Sequence, residues 1–135
     1  MNDDNGGIVI DYAIRMLQLK KAGTPVRVSG SCMSACTLIL ALPAEQICVT
    51  EQASFGFHRP YGTSGDGIQT AKDYLYDSYP VWVKAWLRQR GGLSAAMKVM
   101  NFSFTKKFLK VCPEVGTSSD MAYQGNPSPP DPSIY

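Results

Sequence analysis

The apolar run Ala35-Cys-Thr-Leu-Ile-Leu-Ala-Leu42 holds no charged residue and is bracketed by short strand-like segments, Val26-Arg-Val28 before it and Gln46-Ile-Cys-Val49 and Ser54-Phe-Gly-Phe57 after it. A helix apolar on every side has to be buried on every side, so the run predicts a helix packed between strands. Ser29-Gly30-Ser31 marks the turn from strand to helix, and Pro43-Ala44-Glu45 the turn back. A helix rises about 1.5 Å per residue and a strand about 3.3 Å, so the chain can run out along the helix and return to its starting edge. This succession of strand, helix and strand predicts an α/β fold.

Two residues with chemical potential sit at that edge. Ser34 stands where the strand hands over to the helix, and His58, the chain's only histidine, follows the strand 54–57. At a helix N-terminus unsatisfied N–H groups and the positive end of the dipole face a hydroxyl such as that of Ser34, and they suit a developing oxyanion. A serine nucleophile with a histidine base is the reading this pair supports.

Taken in order, Gly6-Gly7 before a helix, Cys32, Ser34, Ala35, Cys36, Thr37, Leu38 and Ile39 at a helix start, and Gly56-Phe57-His58 with Pro60 after a strand resemble the Clp-type serine peptidases. The nearer likeness is to bacterial, periplasmic Clp-protease-like proteins of the ClpP/crotonase superfamily. It covers residues 5–60 well and the remainder loosely. The resemblance implies a ClpP/crotonase-like spiral of βαβ units, Ser34 as nucleophile and His58 as general base. It also implies an oxyanion hole from the backbone N–H of Ala35 and of Gly6 or Gly7, a task for which glycine is suited because it lets the backbone approach closely. The family carries strands ahead of the glycine pair, so the expectation is a chain truncated at its N-terminal strands. The third triad member, a carboxylate beyond the long helix, falls on Asp120, with Glu114 as runner-up; a Ser–His dyad without an acid retains part of the rate.

Composition excludes more than it assigns. The chain has 135 residues, 44% hydrophobic and 18% charged, which suits one globular domain, and a net charge of +2 with scattered basic residues gives no nucleic-acid footprint. No segment reaches the roughly 18 consecutive apolar residues of a membrane span. Met1-Asn-Asp-Asp-Asn lacks the basic-then-apolar order of a signal peptide; export stays open if the N-terminus is truncated. Cysteines 32, 36, 48 and 112 fit no zinc spacing, so no metal or other cofactor is expected. The four are read as small core residues, a Cys32–Cys36 bridge being conceivable at the cost of strain in the turn.

Along the rest of the chain, a helix over about 8–22 shows Ile10, Ala13, Ile14 and Leu17 on one face and stops at Gly23. Tyr61–Gly67 reads as a glycine-rich surface loop without the ending of a phosphate-binding loop. A helix over about 68–90 must be kinked or interrupted at Pro80, and its aromatic excess (Tyr74, Tyr76, Tyr79, Trp82, Trp86) predicts core or a homo-oligomer interface. Ser94 suggests an N-cap for a helix to Met100. Phe102, Phe104, Phe108, Leu109 and Val111 are core candidates. The expected organisation is a hydrolase domain over 1–123 and a proline-rich disordered tail over 124–135. Three functions compete: a serine peptidase acting on polypeptide, a catalytically silent Clp/crotonase-like scaffold, and a crotonase-like acyl-CoA enzyme, against which the Ser34–His58 pair argues.

Overall fold

The computed structural model describes residues 3, 4, 6–60 and 65–113, and for 65–69 the backbone alone. Among the described residues six short strands form two three-stranded sheets. Strands β1 (Val26–Val28), β3 (Ile47–Val49) and β6 (Lys110–Val111) lie parallel in the order β1-β3-β6. In the second sheet, ordered β2-β4-β5, β2 (Ser31–Met33) is parallel to β4 (Ser54–Phe57), and β5 (Lys98–Asn101) is antiparallel to β4. Asp4 adds a parallel bridge to Cys32 on the free side of β2, through Asp4 N–H to Ser31 O at 2.7 Å and Met33 N–H to Asp4 O at 2.8 Å.

The connections repeat a unit. The first strand pair sends β1 into one sheet and β2 into the other, and the tightly wound helix Ser34–Ala41 leads to β3 and β4, which extend the two sheets in the same order. Helices α1 (Val9–Ala22), α2 (Gly65–Ser78), α3 (Val81–Arg88) and the single turn α4 (Phe102–Thr105) complete the described residues. The expected α/β class is therefore observed. Burial follows the sequence: Val26 and Val28 face inward around Arg27, central β3 is buried along its whole length, and Ala35–Leu40 are buried to the last residue. One hydrophobic core runs from Tyr12 to Leu109.

Several expectations need correction. The turn ends at Gly30, because Ser31–Met33 pair with Ser54–Gly56 as a strand of their own. The span 68–90 is interrupted as the proline required, giving two helices parted at Tyr79-Pro80, where the prolyl ring cannot continue the hydrogen-bond ladder. No helix forms over 94–100: Met97 leads into β5, whose residues find partners on β4, and pairing overrides the Ser94 cap signal. Of the side of helix α1 expected to face the core, Ile10, Ala13, Ile14 and Leu17, only Ala13 is buried. Val9, Tyr12, Ala13, Met16 and Leu19 recur at the same helical spacing as Ile10, Ile14 and Leu17, and the first set packs inward. The Tyr12 hydroxyl donates to Asp4 Oδ1 at 2.7 Å and settles the choice, leaving Ile10, Ile14 and Leu17 more than half exposed.

The aromatic residues of this region divide between core and surface: Tyr76 and Trp82 are partly buried against the core, and Tyr74 is exposed. Tyr79 and Trp86 are buried, Phe57 meets the Tyr79 ring edge-on at 5.4 Å, and Trp82 stacks on Phe108 at 4.6 Å. Of the later core candidates Leu109 is buried, Phe102 and Phe104 pack against the core, and Phe108 and Val111 are exposed. The cysteines are not free thiols among the core side chains: Cys32 bonds to Cys36 and Cys48 to Cys112. Of the glycine-rich loop expected over 61–67, residues 65–67 instead open α2, whereas 61–64, the runner-up acid Glu114, Asp120 and the tail over 124–135 lie outside the described residues.

Candidate active site

Ser34 follows β2 directly and begins the helix Ser34–Ala41 with a backbone φ of 57°, and among the described residues it is the one non-glycine in the left-handed region. A side chain there costs on the order of 1–2 kcal/mol and persists only where the surroundings impose it. Three features impose it here. The Cys32–Cys36 bond closes a short covalent ring around Met33, Ser34 and Ala35. Thr37 Oγ1 donates to Ser34 O at 2.6 Å. On the front, Gly6 presses against the bend at a φ of 89°, where a Cβ would lie 2.6 Å from Met33 O, 2.8 Å from Ser34 Cβ and 3.1 Å from Ala35 N. A sharp turn between strand and helix that projects a half-buried serine is the architecture of a nucleophile elbow.

The glycine pair is itself held rigid. Asp4 Oδ1 accepts from Gly6 N–H at 2.8 Å as well as from Tyr12, whose phenol is pushed far above its ordinary value by burial first and by the Asp4 bond second. Asp3 Oδ1 accepts from Ser31 N–H at 2.9 Å and from Ser31 Oγ at 3.2 Å, tying the segment ahead of the glycines to β2. Gly6 therefore has a different part from the one expected. Its N–H is used by Asp4, and its missing Cβ is what lets the segment approach Ser34. Gly7 is exposed beside it, and Ala35 N–H lies in the first helical turn, where no intrahelical acceptor exists.

His58 follows β4, and the strand register carries it to the same edge. Met33 pairs with Gly56 across parallel β2 and β4, so Ser34 and His58 both leave the C-terminal ends of strands that run side by side roughly 4.8 Å apart. Met33 and Met97 close over Gly56, where a Cβ would lie 2.8 Å from Met97 Sδ and closer still to Met33 Sδ. The imidazole is 6% exposed, and its Nδ1 lies 2.6 Å from Arg59 O. A carbonyl oxygen only accepts, so Nδ1 carries the proton of the neutral ring and Nε2 presents a lone pair. Arg59 N–H in turn donates to Ser94 O at 2.8 Å, which anchors the carbonyl that orients the ring. Arg59 O thus makes at Nδ1 the contact expected of a carboxylate.

Behind the elbow lies a feature that the apolar periodicity concealed. Thr37 is fully buried, and its Oγ1 is 2.6 Å from the Tyr79 hydroxyl between α2 and α3. Burial pushes the Tyr79 phenol far up, only partly opposed by Thr37, so it stays protonated. Within the run 35–42 a threonine reads as a tolerated core residue; only its pairing with a tyrosine far along the chain gives it a task. The even cysteine count was a usable signal for the bridges, but it names no pairing.

No group of histidine, cysteine, aspartate and glutamate side chains suited to a metal ion exists among the described residues. A shallow polar groove, lined by Lys72, Asp73, Tyr76, Asp77 and Gly91–Leu93, includes neither Ser34 nor His58. Compared with known proteins, the chain matches no family model and no curated protein, and the geometry of the elbow carries the functional reading.

Proposed function

We propose that this chain is a serine hydrolase of the Clp-like class, acting on a peptide bond through an acyl-enzyme at Ser34. The observation that carries the reading is the left-handed backbone of Ser34 between a parallel strand and a helix, with His58 at the matching end of the neighbouring strand. Ser34 Oγ attacks the scissile carbonyl carbon while its proton passes to His58 Nε2. The tetrahedral oxyanion accepts from Ala35 N–H and Gly7 N–H. Collapse expels the amine, which takes the proton from His58, and a water deprotonated by Nε2 releases the acid product. Arg59 O holds the ring in the tautomer this requires. Asp120 is the proposed third member, so Asp120→Asn should lower the labelling rate; a rate close to that of wild type would leave Ser34 and His58 as a dyad.

The repeating strand-strand-helix unit, which adds a parallel strand to each of two sheets, supports the ClpP/crotonase-like spiral. Disulfides persist in oxidising compartments, and all four cysteines are paired, so we place the working protein in such a compartment. Among the described residues no helix is long and apolar enough to cross a membrane. A homo-oligomer belongs to the proposal with a changed surface: the apolar stripe Ile10, Ile14 and Leu17, with Asp11 at one end of α1 and Lys20 and Lys21 at the other, is self-complementary to an antiparallel second copy.

A fluorophosphonate probe tests the chemistry directly. Ser34 Oγ bonds to phosphorus, fluoride leaves, and the proton goes to His58. Wild type should be labelled, and Ser34→Ala and His58→Ala should each abolish labelling. A folded wild type that does not react favours the silent scaffold. Labelling that survives Ser34→Ala moves the chemistry to another hydroxyl.

A further inference from the structure

We propose that Tyr79 is a positioning residue that aims the oxyanion donor Ala35 N–H and at the same time seats the strand end bearing His58. The inference rests on the assignment of Ser34 and His58 given above, and it concerns a residue far from Ser34 in the chain.

Ser34 O accepts only, so the single proton of Thr37 Oγ1 goes to it, and the Tyr79 hydroxyl must then be the donor to Thr37 Oγ1. The result is a directed chain from Tyr79 O–H to Thr37 O–H to Ser34 C=O, both contacts being 2.6 Å. Thr37 and Tyr79 are buried, where an unpaired hydroxyl is costly, so each member has reason to hold its partner.

What the chain holds is a peptide plane. Ser34 C=O and Ala35 N–H belong to one planar trans unit and point in opposite directions. Fixing the carbonyl toward Thr37, inside the core, turns the Ala35 N–H the other way, toward the face that carries Gly6. Because Ser34 sits in the sparsely populated left-handed region, that plane has no strong local preference of its own and depends on outside restraint. The same tyrosine touches the other half of the site: its ring takes the edge of Phe57, the residue before His58, with centroids 5.4 Å apart and planes at 83°. Tyr79 is also the point where α2 gives way to α3, so the docking of both helices and the elbow share one side chain.

Three variants test this: Tyr79→Phe keeps the ring and removes the donor, Thr37→Val breaks the chain at its middle, and Thr37→Ser keeps the hydroxyl. The kinetic readout is fluorophosphonate labelling, resolved into the maximal rate and the probe concentration at half-maximum. The second readout is amide hydrogen exchange at Ala35 and Cys36, which requires no activity. The expectation is a maximal rate lower by about tenfold in Tyr79→Phe and Thr37→Val, a partial form of the 10²–10³ lost when an oxyanion donor is removed outright. The half-maximal concentration should stay unchanged, Ala35 exchange should quicken, and Thr37→Ser should restore both. A simple loss of stability would lower the melting temperature and leave the maximal rate of the folded protein alone. Wild-type rates and wild-type Ala35 exchange in Tyr79→Phe and Thr37→Val would overturn the inference. If wild type is not labelled at all, the hydrolase reading fails; faster Ala35 exchange in these variants still supports the positioning of the peptide plane, and unchanged exchange overturns it.

Discussion

The two disulfides are the same bond put to two uses. Cys48–Cys112 joins residues 64 apart, binding central β3 to the strand pairing that ends the described chain, whereas Cys32–Cys36 joins residues 4 apart across the bend that presents Ser34. Chain-entropy arguments assign about 4 kcal/mol to a loop of the first length and about 2 kcal/mol to one of the second, because the longer loop removes more freedom from the unfolded chain. The smaller bridge surrounds the one described non-glycine with a left-handed backbone. A long bridge secures the fold; a short one sets the shape of a few residues.

The largest expected effect breaks the long bridge. Cys48→Ser with Cys112→Ser should lower unfolding free energy by about 4 kcal/mol in urea titration, while each folded molecule still reacts with fluorophosphonate at the wild-type rate. Cys32→Ser with Cys36→Ser should reverse the pattern. The stability loss should be about 2 kcal/mol, with labelling slower by about tenfold as the Ala35 N–H loses its aim. Equal effects of the two pairs on labelling would abolish the distinction.

A finer test removes the backbone penalty itself. Glycine adopts a φ of 57° without the Cβ clash, so Ser34→Gly should raise stability by about 1 kcal/mol. In the background lacking the Cys32–Cys36 bond that gain should shrink, since Ser34 is then free to relax. A double-mutant cycle in denaturant measures the coupling.

The smallest effect is a pH dependence on the inner side of the elbow. The folded state holds the Tyr79 phenol above its unfolded value, mainly by burial, so its contribution is complete below the unfolded pKa of about 10 and is lost as pH rises beyond it. Tyr79→Phe should therefore lose stability less steeply than wild type above about pH 10, with Tyr12 still contributing to the remaining slope. Parallel curves for the two proteins would show that Tyr79 does not couple folding to alkaline pH.

Local features of the site were legible where a single residue type carries a strong preference. Gly23 ends α1 at a φ of 68°, Pro80 divides the paired helices, and the alternation in 54–57 marks β4 within its observed bounds. Placing Ser34 and His58 at one edge needed only the order of elements. The side of α1 that faces inward was not legible, because two apolar sets share one helical spacing and a tyrosine–aspartate bond chooses between them. The strand over 31–33 was hidden for a related reason: Ser31 and Cys32 carry weak strand preference and pair only because β4 lies alongside.

The sequence by itself determined the α/β class, the serine at the head of a buried helix and the histidine at the end of a strand, since turn chemistry and hydrophobic pattern act over a few neighbours. Tertiary structure alone decided which cysteines meet, that Gly6 serves by its lack of a Cβ while its N–H goes to Asp4, and that His58 is oriented by Arg59 O. It alone joined Thr37 to Tyr79. These are pairings between groups distant in the chain, or contacts of a few tenths of an ångström between backbones, and a pattern of residue types holds no record of either until the chain has packed.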